Sequence, residues 1–160
     1  DELGGAEFYQ VYFDVHADGG AIGANVPQVR KEAAKALYLK VMEANRKGLI
    51  ASSLDLSDGG LAVALAESAF GGQYGADLTL DAFGDTLSEA AVLFSESHSR
   101  FVVSVRPADQ AAFEAILGAS AHRLGTVTET PQLIIRRKGQ TLIDTEVEAL
   151  KNAWSEGLHL

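Results

Sequence analysis

The chain has no cysteine, one tryptophan, one methionine and three prolines. Without cysteine there is no disulfide framework, no thiolate metal site and no thiol nucleophile. That agrees with a cytoplasmic location. No apolar run approaches the roughly 20 residues a membrane helix needs, and no signal peptide is visible, so no membrane partner is expected. Cationic residues are also short. Thirteen Lys and Arg stand against 22 Asp and Glu, a formal net charge of −9. That balance argues against a nucleic-acid backbone as partner and requires any phosphate site to be built locally. Neither a Ser-His-Asp or Cys-His arrangement nor a Walker or Rossmann glycine pattern is present, so no catalytic residue is assigned.

What is present is an apolar-rich chain of 160 residues, enough for one domain with a sizeable core. It centres on Ser53-Leu54-Asp55-Leu56-Ser57-Asp58-Gly59-Gly60-Leu61. An apolar run, 49–51, precedes this stretch and an apolar helical pattern, 61–70, follows it. Strand, acidic glycine turn and helix in that order let backbone N–H groups and the positive helix end approach a phosphate. Asp55 and Asp58 are then candidate Mg²⁺ ligands. Ser57 and Asp58 also read as ordinary N-caps with no ligand.

A second polar knot, Ser95-Glu96-Ser97-His98-Ser99-Arg100, separates a short apolar helix from the strand pattern 101–105. Its hydroxyls and guanidinium fork suit a phosphate, and an ordinary polar loop fits equally. Helical spacing is expected over 8–15 and over Val29–Lys47, with Pro27 starting the second helix and Gly48 stopping it. Thr86 and Glu89 form a capping-box pattern. Pro107 begins another helix. Strands are expected at 76–80, 121–127, 133–137 and 141–144, the last two joined by a Lys138-Gly139 turn. Arg136-Arg137-Lys138 reads as a solvated hairpin tip, and a final helix, 146–156, is expected to bury Val147, Leu150 and Trp154. His16 and Asp18 are read as a solvated loop pair rather than metal ligands. The all-round apolar helix after Gly60 is expected to leave one face uncovered, and therefore to favour a homodimer. The fold class expected is mixed α/β (α+β), helices layered on a sheet, in a single domain over 1–160.

Three motifs, in order, carry a resemblance. Glu2-Leu3-Gly4-Gly5-Ala6-Glu7-Phe8, the Asp55–Leu61 turn, and Leu93-Phe94-Ser95-Glu96-Ser97-His98-Ser99-Arg100 resemble segments of the phosphoribosylformylglycinamidine synthases. Ala6, Leu54, Ser95 and His98 depart from that family's usual Ser, His, Gly and Gln. The glycine turn alone is shared with aminoimidazole ribonucleotide synthetase, thiamine-monophosphate kinase, selenophosphate synthetase and a hydrogenase-maturation protein. The resemblance implies an aminoimidazole-ribonucleotide-synthetase-like C-terminal domain, a piece of a longer enzyme that is inactive by itself; the opening at Asp1 reads the same way. It implies ATP and Mg²⁺ as cofactors and a ribonucleotide substrate. Preceding domains and a glutaminase subunit or domain are the implied partners. Gly4, Gly5, Ser57, Gly59, Gly60, Glu96, Ser97, Ser99 and Arg100 are the implied phosphate-facing residues, with Asp55 and Asp58 for the metal. Two alternatives stand beside it: another enzyme of the same superfamily, or a non-catalytic domain that holds a nucleotide or mediates assembly.

Overall fold

A computed structural model describes residues 2–16, 23 and 25–156, with the backbone alone at 13–16. The His16–Asp18 pair therefore lies outside the described residues. Six α-helices and six strands are described: α1 (Glu7–His16), α2 (Lys31–Arg46), β1 (Ser52–Asp55), α3 (Gly60–Gly72), β2 (Gly75–Thr79), α4 (Glu89–Phe94), β3 (Phe101–Ser104), α5 (Gln110–Leu117), β4 (Gly125–Thr128), β5 (Gln132–Arg137), β6 (Gln140–Glu146) and α6 (Val147–Glu156). This is the expected mixed α/β order. The strands do not form one sheet. β1 and β3 make an antiparallel ribbon of their own, and β4-β2-β5-β6 make a mixed sheet in which only β2 and β5 run parallel.

The main core lies between α3, α4 and the four-stranded sheet. Leu61, Leu65, Leu78, Leu80, Val92, Leu93, Leu133 and Ile135 are buried there. At about 1.5–3 kcal/mol for each large side chain removed from water, this cluster dominates the stability of the fold. A second cluster, with Ala44, Leu49, Phe113 and Leu117, joins α2 to α5. Val102 packs on the first cluster and Val103 on the second, so the ribbon is held between the two by alternate side chains.

Several local expectations change. Arg30, not a residue beside Pro27, is the N-cap of α2, and the Ala34 N–H donates to its carbonyl. Gly48 does stop the helix: it takes φ +70°, and the N–H of Leu49 donates back to the carbonyl of Ala44. The N-cap of α4 is Ser88, whose hydroxyl accepts from the N–H of Ala91, rather than Thr86. Trp154 is half exposed, lying 5.5 Å from the ring of Phe70 at the end of α3.

The apolar surface of α3 is covered within the chain. Leu61, Ala62, Ala64, Leu65 and Ala69 are buried, because α4, α6 and the sheet occupy different sides of the helix. The uncovered face of α3 on which a homodimer is expected to form is therefore not there among the described residues. Val29, Tyr38, Leu39 and Met42, on α2 or just before it, are exposed instead.

Candidate functional site

Pairing of β1 with β3 builds the site. Its register sets Asp55 opposite Phe101, and the N–H of Leu56 extends the ladder to the carbonyl of Arg100 at 3.0 Å. The glycine turn and the second polar knot, about forty residues apart in sequence, therefore leave the same end of one ribbon. Between them opens a cleft of about 380 Å³ lined by Tyr38, Asp55, Leu56, Ser57, His98, Ser99, Arg100 and Phe101. Of the expected site residues, Asp55, Ser57, Ser99 and Arg100 meet there.

Each wall is fixed by its neighbours. The Ser57 hydroxyl donates to the Asp55 carboxylate. Arg100 donates from Nε to the Ser97 carbonyl at 2.9 Å and from Nη2 to the Ser95 carbonyl. Burial pulls the Arg100 guanidinium below its ordinary pKa, while Glu2 and Glu96 push the other way. Ser99 takes φ +62°, the left-handed region that few non-glycine residues occupy. Its hydroxyl meets the Tyr38 phenol at 2.9 Å, and the Tyr38 ring stands edge-on to Phe101 at 5.9 Å.

The remaining expected residues do not line the cleft. Glu96 Oε1 accepts from the N–H of Gly59 at 2.8 Å and from the N–H of Glu7 at 2.9 Å. A carboxylate of the chain thus occupies the positive start of α3 and ties it to α1. Gly59 and Gly60 are buried, both with positive φ. Gly4 exchanges backbone hydrogen bonds with Asn25 and Gly23, and Gly5 is exposed with open space around its Cα. Ser97 meets Arg100 through its backbone carbonyl, and the buried Glu2 pairs through Oε1 with Arg30 at 3.1 Å. The neighbouring Ser97 side chain and the Arg30 charge hold Glu2 below the usual carboxylate range, against the burial that raises it. Asp58 is exposed on the turn and does not line the cleft.

Sequence reasoning missed Tyr38 and Phe101. Phe101 follows the knot directly, but reads as a core strand residue. Tyr38 lies 61 residues before Ser99, and no spacing rule connects them.

A family model described as "AIR synthase related protein, C-terminal domain" matches residues 1–138. Phosphoribosylformylglycinamidine synthase subunit PurL of Lactobacillus helveticus is 41% identical over 122 residues, covering 76% of this chain and 16% of that protein. The same subunit of Methanothrix thermoacetophila is 34% identical over 161 residues, covering 99% of this chain and 20% of that protein. The chain thus spans a fifth or less of the length of these curated relatives. Among solved structures, T. maritima PurL complexed with FGAR superposes with a TM-score of 0.73 at 22% identity, covering 84% of this chain and 23% of that one. T. maritima PurL complexed with ATP gives 0.65 at 24% identity, covering 72% and 21%. At these identities the likeness to the solved structures is one of fold.

Proposed function

Because the chain belongs to the family of AIR synthase related proteins, C-terminal domain, we propose that it serves as the C-terminal domain of a phosphoribosylformylglycinamidine synthase. That cytoplasmic ligase of purine biosynthesis would convert formylglycinamide ribonucleotide, ATP and glutamine to formylglycinamidine ribonucleotide, ADP, phosphate and glutamate. In the whole enzyme the substrate amide oxygen is phosphorylated, and ammonia from a glutaminase partner displaces the phosphate. This chain's part is to bind and orient an anionic group. The observation that supports it is the ribbon register, which sets Ser57, Ser99 and Arg100 around one cleft.

Those residues play different roles. Ser57 and Ser99 offer hydroxyls, now hydrogen-bonded to Asp55 and Tyr38, that can turn to a ligand oxygen. Arg100 supplies fixed positive charge, which an anion approaching a protein of net charge −9 needs locally. Because two carbonyls hold its guanidinium, that charge is already positioned before a ligand arrives. Mg²⁺, when bound, would offset phosphate charge. Asp55, at the cleft wall, fits as one ligand of an ion completed by phosphate oxygens, water and groups of other domains. No group of three or more His, Cys, Asp or Glu among the described residues forms a metal site by itself. Among the described residues no helix is long and apolar enough to cross a membrane.

The test follows from the local bonding. Arg100→Ala would strand the Ser95 and Ser97 carbonyls and so confound folding with binding. Ser57→Ala avoids this, since Ser57 is exposed. In the full-length enzyme it should raise the KM for formylglycinamide ribonucleotide about tenfold, from loss of about 1.5 kcal/mol of charge-assisted hydrogen bonding, at constant Tm. An unchanged KM would refute the assignment. The chain by itself should show no ATP turnover with this substrate above a buffer control.

A further inference from the structure

We infer that Tyr38 is a ligand-contacting, specificity-determining residue of the cleft, reading the sugar side of a sugar phosphate. This rests on the reading of the cleft as an anion site. The phenol hydroxyl shares a 2.9 Å hydrogen bond with Ser99, one of the two hydroxyls placed to meet the anion. Ser99 is itself in left-handed backbone conformation, so Tyr38 holds the hydroxyl of a strained residue at the cleft.

Burial of α2 is accounted for by other residues. Ala34 and Ala44 are buried, Leu37 and Val41 pack on the α5 cluster, and Lys40 donates to the Leu117 carbonyl at 3.0 Å. Tyr38 is 43% exposed, and its ring meets Phe101, another cleft residue. Its polar tip and one edge of its ring therefore border the cleft, while the ring also borders a hollow with Val29 and Lys35 along α2.

Two consequences follow. A ligand oxygen that reaches Ser99 competes with the phenol, which becomes free to donate to the same anion. The cleft, at about 380 Å³, lies in the range of sites for whole small molecules rather than bare phosphate. The Tyr38 ring then offers an apolar surface to the carbon skeleton attached to the phosphate.

The experiment is calorimetric titration of the chain with ribose 5-phosphate and, separately, with inorganic phosphate. Tyr38→Phe should weaken ribose 5-phosphate about fivefold with Tm unchanged. Tyr38→Ala should weaken it further, and by a larger factor than it weakens inorganic phosphate, whereas a merely structural role would lower Tm and affect both ligands alike. Leu39→Ala, a neighbour on the same helix, should bind as the wild type does. If Ser57→Ala weakens binding and Tyr38→Phe does not, the inference is wrong while the anion site stands. If the wild-type chain binds neither ligand, the anion site is refuted and the inference with it. Should Tyr38→Ala fail to fold, Tyr38→Phe decides.

Discussion

Gly60→Ala is expected to cost about 2–5 kcal/mol of folding stability and to disorder the cleft. Gly60 is the first residue of α3 and has φ +65°, where an L side chain is strained by about 1–2 kcal/mol. Space is a separate problem. A Cβ placed on Gly60 would lie 2.5 Å from the Ser95 carbonyl oxygen and 2.9 Å from the Phe94 carbonyl carbon. Both are backbone atoms, so no side-chain rotation relieves them, and overpacking of this kind costs about 1–3 kcal/mol more. Because Arg100 hangs from that same Ser95 carbonyl, the displacement would pass to the cleft. Gly71→Ala supplies the contrast. Gly71 lies in the same helix with nothing within 4 Å of its Cβ position and no positive φ. There alanine should leave stability unchanged or raise it by up to about 1 kcal/mol. Chemical denaturation of both variants checks the pair; equal midpoints would show that Gly60 is not held by this contact.

The role of Gly60 shows where sequence reasoning stopped. Glycine after Ser57-Asp58, before an apolar helix, reads as backbone opened for a ligand. In the structure much of that freedom is used for close packing of the two polar segments, and the helix start is satisfied by Glu96. Local periodicity carried the element order, since helices and strands differ in the spacing of their apolar residues. It could not show that β1 and β3 pair apart from the other strands, because sheet membership depends on contacts remote in sequence. The cleft follows from that pairing. Its acidic and basic residues were legible as two polar knots. Tyr38 was not legible, because a tyrosine on a partly exposed helix has no local signature of what it faces.

Arg137 gives the second large effect, and it corrects the reading of the hairpin. In 136–138 only the flanking residues behave as a solvated tip: Arg136 pairs with Asp77, and Lys138 with Asp85. Arg137 is 2% exposed. The cause is the period-two pleat of β5, which puts Leu133, Ile135 and Arg137 in phase on the buried face. Its Nη2 donates to the carbonyls of Gly84 at 2.7 Å and Leu87 at 2.9 Å, pinning the segment that leads into α4. Nε finds no hydrogen-bond partner among the described residues, so the fit is held by Nη2. Arg137→Met keeps most of the volume and removes the donors. Two carbonyls lose their partner, at about 1–3 kcal/mol each if water cannot reach them. A total of about 2–6 kcal/mol is expected, or roughly 4–24 °C in Tm for a chain of this size. Lys138→Ala, which breaks an exposed pair, should leave the melting temperature nearly unchanged. Hydrogen exchange should locate the damage, with amides of 84–92 exchanging faster in Arg137→Met and unchanged in Lys138→Ala. If the two variants melt together, the buried arginine is not the clamp between β5 and the approach to α4.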